Sequence, residues 1–401
     1  MANGINGMSR DFAGRMARIK PSAIRDLLRL GADPSVMSFG GGYPDATLFP
    51  AEALARAYQA AILDHRSVSL QYTVSNGLPR LRQQVANLLA EDGVPCAADN
   101  VLILQGSQQG LDLVGKLLID RDDVVITESP TFLGALIAFD PFEPRYVGVE
   151  MDADGMDMVA LEAALRANPK ARLIYTIPDF QNPTGVSMSL PRRIRLMELA
   201  RAFDIIVLED TPYRALRFTG ETLPTLKSMD TDGRVILLGS FSKVLAPGLR
   251  LGWAVASDAL IEKLGMLKLA ADTQCSTLNM FAVSLLLESF DMKAHVATIC
   301  AAYGRKKALM LDTIRQHFPQ DVAMTDPSGG LFTWATFPEG FDTTRFMADH
   351  ALPEAKVAYV PGASFFPGAQ QTNHARLNYS GPTDAVIVAG MTALGALLKR
   401  G

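Results

Sequence analysis

The 401-residue chain has little cysteine: Cys96, Cys275 and Cys300 are its only three, too few and too scattered for a disulfide framework or a zinc site. A reduced, cytoplasmic setting is the expectation. Neither sign of charge prevails, with 38 basic residues against 42 acidic ones, and no Lys/Arg cluster dominates any segment. Nucleic acid and anionic lipid are therefore not expected as main partners. No apolar run approaches the length that spans a bilayer, and the opening Met-Ala-Asn-Gly-Ile-Asn-Gly lacks the basic and apolar regions of a signal peptide. Asn378-Tyr379-Ser380 matches a glycosylation sequon, without consequence in such a chain. There is no repeat and no low-complexity tract.

What is present is 48% hydrophobic residues and enough length for two or three domains with a core that can enclose a site. Short apolar runs recur at Val101–Leu104, Val124–Thr127, Arg172–Ile177, Ile205–Leu208, Val235–Leu238 and Gly252–Ala256. Runs of this length, apolar on both faces and separated by helix-length connectors, read as parallel strands covered by helices on each side. Helices are expected over Gln108–Ile119, Met158–Ala167, Leu190–Phe203 and Ala259–Ala271, then a long one from about Phe281 to Phe318, and a last one over Ala385–Lys399. The fold class is α/β with a mostly parallel central sheet. Residues 48–299 read as a large domain, with residues 1–47 and 300–401 forming a smaller α+β domain from both termini.

Chemistry gathers at strand ends. Lys243 follows the strand Val235–Leu238, with Ser240 and Ser242 before it and Arg250 after it. A lysine desolvated there has a depressed pKa and is available as the neutral amine that forms a Schiff base, while hydroxyls and a guanidinium are what a phosphate needs. The combination points to pyridoxal 5'-phosphate; alone, such a lysine also reads as a solvated surface residue. Gly106 and Ser107, between the strand Val101–Leu104 and a helix, read as a tight turn and an N-cap whose free N–H groups face an anion. Gly110 to Leu117 nearly matches a P-loop, but it ends in Leu and lies inside an amphipathic helix, so nucleotide binding is rejected there.

Asp210 ends the strand Ile205–Glu209, and Tyr213 follows. A carboxylate so placed either pairs with a cation, such as a pyridinium nitrogen, or caps the next turn. Asn182, turned inward by Pro183 and Gly185, and Tyr213 suit a phenolate oxygen. Phe132 follows Val124–Thr127 and suits stacking on an aromatic ring, or simply the core.

These motifs, Ser107-Gln108-Gln109, Asn182-Pro183-Thr184-Gly185, Glu209-Asp210 with Tyr213, Ser240-Phe241-Ser242-Lys243 and Pro247-Gly248-Leu249-Arg250, resemble those of fold type I pyridoxal-phosphate enzymes of the class I/II aminotransferase superfamily. Within it, the chain is similar to the 2-aminoadipate and kynurenine aminotransferase group through Ile24-Arg25, Met37 to Gly42, Phe49-Pro50, Leu70-Gln71-Tyr72, Pro361 to Phe366 and Arg376 to Ser380.

The resemblance implies an aminotransferase that moves an amino group from an L-amino acid to a 2-oxo acid, 2-oxoglutarate among them, by a ping-pong route through pyridoxamine phosphate. It implies that Lys243 holds the cofactor and shuttles the proton, Asp210 binds the pyridine nitrogen, and Asn182 and Tyr213 hold the phenolate. Ser107, Gln108, Ser240, Ser242 and Arg250 then hold the phosphate. Tyr72 reaches the cofactor of a neighbouring subunit, so a homodimer with shared sites is implied. Arg376, assisted by Asn182, pairs with the substrate α-carboxylate. Arg25 meets a distal carboxylate or is an exposed helix residue, and Gly41 lies in a loop that closes over substrate. Phe132 stands where relatives usually have Tyr, and Thr211 where several have a second acid. A β-lyase or decarboxylase of the same cofactor class stays compatible. A cofactor-sensing regulatory module is disfavoured, because too few residues precede Ile24 for a winged-helix domain.

Overall fold

The computed structural model describes residues 12–17, 19 and 33–400. Arg25 and its neighbours in the Ile24 motif lie outside the described residues.

An eight-stranded sheet carries the fold. Its strands are β2 (Val101–Leu104), β3 (Val124–Ser129), β4 (Arg145–Asp152), β5 (Gly155–Met156), β6 (Ala171–Thr176), β7 (Ile206–Asp210), β8 (Val235–Ser240) and β9 (Gly252–Val255), in the order β2-β9-β8-β7-β6-β3-β4-β5. The β-branched and leucine-rich runs bury both faces, so successive residues feed different cores. Leu173, Tyr175, Leu208 and Leu238 join the main cluster. Ile174, Val207 and Val235 join a second one on the opposite face, under Leu161 and Leu196 of the helices Met158–Ala167 and Leu190–Ala202. Each such side chain, fully buried, is worth roughly 1.5–3 kcal/mol.

Pairing is parallel between β3 and β4, β3 and β6, β6 and β7, and β7 and β8. The sequence reading of Gly252–Ala256 as another parallel strand is corrected: β9 runs antiparallel to both β2 and β8. Only a short loop separates it from β8, too short for a parallel crossover. β5 also runs antiparallel, to β4, but β2, β3, β6, β7 and β8 run the same way, so their ends deliver Gln105, Ser129, Ile177, Asp210 and Ser240 toward one rim, where ligands bind in such sheets.

The long helix expected from Phe281 to Phe318 is also corrected. It is two helices, Thr277–Ser289 and Met292–His317, and the Asp291 side chain accepts the Ala294 N–H at 2.9 Å to start the second. A second, antiparallel sheet is built from β10 (Ala323–Met324), β11 (Phe332–Thr336), β13 (Val360–Pro361) and β14 (His374–Asn378), in the order β10-β11-β14-β13. The N-terminal segment joins this end of the molecule, since β1 (Met37–Ser38) pairs in parallel with β12 (Val357–Ala358). That tie brings the loop Gly40–Gly42 over the rim of the large sheet.

Among the described residues no helix is long and apolar enough to cross a membrane. None of them forms a cluster of three or more His, Cys, Asp or Glu placed for a metal ion.

Candidate active site

Lys243 closes a single helical turn, Phe241–Lys243, directly after β8, and the Ser240 side chain caps that turn by accepting the Ser242 N–H at 3.1 Å. Its Nζ donates to the Gly42 carbonyl at 2.7 Å. The side chain keeps some exposed surface and lines the cavity described below. Desolvation first, then the positive charges of Arg376 and Arg250, pull its pKa down from 10.5 to about 8.

Asp210, the last residue of β7, is 1% exposed. Its Oδ2 accepts the Tyr175 hydroxyl at 3.1 Å, while Oδ1 has no partner among the described residues. Burial pushes the carboxyl up from 3.8 to about 7, against the pull of the Tyr175 hydrogen bond. A buried carboxylate oxygen without a partner costs free energy until a donor reaches it.

A chain of hydrogen bonds lines the opposite wall. Arg376 donates through Nη1 to Asn182 Oδ1 at 2.8 Å and through Nη2 to the Gly40 carbonyl at 2.7 Å. Asn182 Nδ2 in turn donates to the Tyr213 hydroxyl oxygen at 3.0 Å. The Arg376 guanidinium lies over the Phe332 ring at 4.2 Å and near Phe365 at 5.2 Å, and burial lowers its pKa to about 10. Burial likewise raises the Tyr213 phenol to about 12. The loop carrying Asn182 is anchored from below: Gln181 donates to buried Glu128 at 3.0 Å and accepts the Thr184 N–H and hydroxyl.

The anion-facing turn differs in one detail from the sequence reading. Gly106, not Ser107, is the N-cap, with φ 74° and ψ 166°, and Ser107 is the first residue of the helix Ser107–Leu118. Only glycine adopts that backbone at low cost. A Cβ on Gly106 would sit 2.9 Å from Arg250 Nη2, so the bare backbone is also what lets the guanidinium close over the turn. Arg250 Nη2 donates to the Gln105 carbonyl at 3.0 Å, Gln108 Nε2 to the Gly134 carbonyl at 2.8 Å, and the Ser240 and Ser242 hydroxyls meet at 2.9 Å.

Gly41, Ser107, Gln108, Phe132, Asn182, Asp210, Tyr213, Ser240, Ser242, Lys243, Arg250 and Arg376 line one cavity of about 500 Å³. Two larger hollows, of about 790 and 1160 Å³, lack such a set: Lys293 and Lys307, which line the latter, are already paired with Glu91 and Asp326. Tyr72 does not line the cavity in the single chain and is 81% exposed. Thr211 turns away, donating its hydroxyl to the Leu238 carbonyl at 2.7 Å. Sequence reading missed Ile177, Phe332, Val360 and Phe365, which make the apolar part of the wall. It also missed Tyr175, whose signal is a lone hydroxyl in an apolar strand.

The residues present fit pyridoxal phosphate. The Asp210 Oδ1, without a partner among the described residues, suits a protonated ring nitrogen, and Lys243 is an amine of lowered pKa lining the same cavity. The Gly106 turn with Arg250 and two serine hydroxyls supplies anion donors.

The chain belongs to the class I and II aminotransferase family, whose model matches residues 35–394. Among similar proteins, aromatic-amino-acid aminotransferase 1 of Thermococcus litoralis is 37% identical over 393 residues, covering 97% of this chain and 94% of that protein. The α-aminoadipate aminotransferase of Thermus thermophilus, solved in complex with N-(5'-phosphopyridoxyl)-L-leucine, superposes with a TM-score of 0.90 at 36% identity over 97% of each chain. Kynurenine aminotransferase of Pyrococcus horikoshii, solved with PMP, KYN and KYA, gives a TM-score of 0.93 at 33% identity, again over 97% of each chain. The protein is therefore a fold type I aminotransferase that uses pyridoxal phosphate.

Proposed function

We propose that this enzyme moves the amino group of L-amino acids with apolar, aromatic or 2-aminoadipate-like side chains to 2-oxoglutarate, in two half-reactions that use one site in turn. The observation that carries the reading is the pairing of a lysine of lowered pKa with a buried, half-satisfied carboxylate across one cavity. Bound there, pyridoxal phosphate supplies an electron sink that makes the substrate Cα–H acidic.

The chain's own residues do the rest. Asp210 holds the pyridine nitrogen through Oδ1, and Asn182 and Tyr213 hold the phenolate side. Ser107, Gln108, Ser240, Ser242 and Arg250 hold the phosphate, and Phe132 packs on the ring. Lys243 carries the cofactor between turnovers. At a pKa of about 8 a useful fraction of its Nζ is neutral near neutral pH, so it takes the Cα proton and returns it. Arg376 pairs with the substrate α-carboxylate, exchanging its bond to the Gly40 carbonyl for the bidentate one, and Gly41 moves with that loop. Ile177, Phe332, Val360 and Phe365 exclude water beside these groups and favour an apolar side chain. Arg25 receives a distal carboxylate.

We read the working unit as a cytoplasmic homodimer in which Tyr72 completes the partner's site. The free thiols of Cys96, Cys275 and Cys300 and the exposed apolar run near Tyr72 support this. Residues 48–299 form the large domain of this reading, and residues 1–47 with 300–401 the small one. The names of the relatives support aromatic and aminoadipate donors.

The test is single-turnover spectroscopy of the cofactor-loaded enzyme with a donor panel and no oxo acid. Loss of the cofactor's visible band with stoichiometric release of the 2-oxo acid, reversed by 2-oxoglutarate, is expected. Release of ammonia or carbon dioxide instead would identify a lyase or a decarboxylase.

A further inference from the structure

Tyr175 has no part in the assignments above, yet among the described residues it is the one side chain that hydrogen-bonds the Asp210 carboxylate. Its position follows from register. In the parallel β6–β7 pair Tyr175 lies opposite Leu208, and Asp210 is two residues further along β7, on the same face. A long side chain on β6 thus reaches diagonally to the strand end. Tyr175 is fully buried, its ring meets Phe139 edge-on at 6.0 Å, and its hydroxyl donates to Asp210 Oδ2 at 3.1 Å. The ring packing fixes the direction of the hydroxyl, and the hydroxyl fixes which carboxylate oxygen is left over.

We propose that Tyr175 is a positioning residue for Asp210, holding Oδ2 so that Oδ1 meets the cofactor's pyridine nitrogen and the shared proton stays on that nitrogen. The proposal rests on the assignment of Asp210 to the ring nitrogen. The physical argument is one of basicity. A hydrogen bond donated to a carboxylate stabilises its ionised form, so Asp210 competes less well for a proton. Without the hydroxyl the carboxylate becomes more basic and draws the proton from nitrogen to oxygen, which weakens the electron sink. The other titratable groups near Tyr175 are Glu128 and Tyr213. Glu128 is occupied by Thr176, Ile177 and Gln181, and Tyr213 by Asn182. Neither replaces the lost donor.

The experiment loads wild-type enzyme, Tyr175→Phe and Asp210→Asn with pyridoxal phosphate labelled with nitrogen-15 at the ring nitrogen and records the nitrogen chemical shift. Cofactor dissociation constants and steady-state kinetics are measured alongside. Tyr175→Phe is expected to move the signal toward neutral pyridine, to raise the dissociation constant about tenfold, the size expected for a hydrogen bond to a charged group, and to lower kcat with little change in KM. Site-specific 3-fluorotyrosine at position 175, a stronger donor, is expected to keep the pyridinium signal. An unmoved signal and affinity in Tyr175→Phe, with Asp210→Asn shifted, would overturn the role of Tyr175 alone. No shift in Asp210→Asn would overturn the assignment of Asp210, and the proposal with it.

Discussion

Lys243 and Asp210 are each held where the charged form is disfavoured, and the two penalties depend on pH in opposite windows. For Asp210 the folded pKa, about 7, lies above the reference 3.8, so between these values the folded state binds the proton that the unfolded state has lost. Stability from this group falls as pH rises through that window and stays low above it. In the cofactor-free protein, Asp210→Asn is therefore expected to leave the melting temperature unchanged near the reference value. It should add stability progressively as pH rises to about 7, by about 2–4 kcal/mol at most for a gap of about three pH units. Thermal melts across pH check it, and a gain independent of pH would refute the burial argument. For Lys243 the folded pKa lies below the reference 10.5, so its penalty is complete below about pH 8 and disappears as pH rises to 10.5. Lys243→Met should stabilise the cofactor-free protein below about pH 8 and not at pH 10.5. In the loaded assay Lys243→Ala should lower kcat by about 10³-fold or more, since a positioned general base is worth roughly that much; a smaller loss would mean another group moves the proton. Lys243, Asp210 and Asn182 were legible in the sequence because each stands at a strand end or in a turn, though Lys243 and Asp210 each kept a structural alternative; Arg376, in the middle of β14, was reached only through the family resemblance. Tyr175 was not legible, because its meaning depends on the register of β6 against β7. Phe332 and Phe365 were not, because nothing local says which way a distant apolar segment folds.

At the scale of elements, the Gly106 turn, proposed to hold the phosphate, is the sharpest case of backbone chemistry read from sequence. The Gly106 conformation, at φ 74° and ψ 166°, costs about 1–3 kcal/mol for any residue with a Cβ. That Cβ would also press on Arg250. Gly106→Ala should thus weaken cofactor binding about tenfold or more, by tilting the first helical turn and displacing the guanidinium, while the far side of the sheet keeps its stability. Titration of the cofactor-free variant with pyridoxal phosphate measures this; unchanged affinity would show that the turn does not hold the phosphate. The strands flanking this site were legible because both faces are buried and the sequence runs apolar without interruption. β4 was not, because it carries Arg145, Gly148 and Glu150, and only Val149 is buried along its length. The antiparallel direction of β9 was hidden in a loop length rather than in any residue pattern. The break between the helices Thr277–Ser289 and Met292–His317 rests on one capping carboxylate, Asp291, inside a stretch whose periodicity otherwise continues.

At the scale of the whole molecule, the end of the helix Ala51–Leu63 and the segment after it expose apolar side chains in a run: Leu63, Val68, Leu70, Tyr72 and Val74 are each more than half exposed. A run of that kind on a folded chain marks an association surface. The sequence contained the residues but not their exposure, which depends on the whole large sheet being in place. If the surface pairs two copies, Leu63→Asp with Leu70→Asp should reduce the mass measured by light scattering to that of the 43.3 kDa chain, and cofactor affinity should fall with it because Tyr72 is withdrawn. A sharper consequence concerns which chain Tyr72 serves. In a dimer with shared sites, Lys243 of one chain works with Tyr72 of the other. On that reading, Lys243→Ala and Tyr72→Ala should each be impaired alone, the first by losing the amine and the second by losing a contact to the partner's cofactor. Co-expressed and purified as hybrids through different tags, they place an intact Lys243 and an intact Tyr72 in one of the two sites. Activity at limiting cofactor should then recover to about half the wild-type value per dimer. Hybrids at about half the per-dimer activity of Tyr72→Ala, the contribution of one Tyr72-deficient site, would mean that Tyr72 serves its own chain.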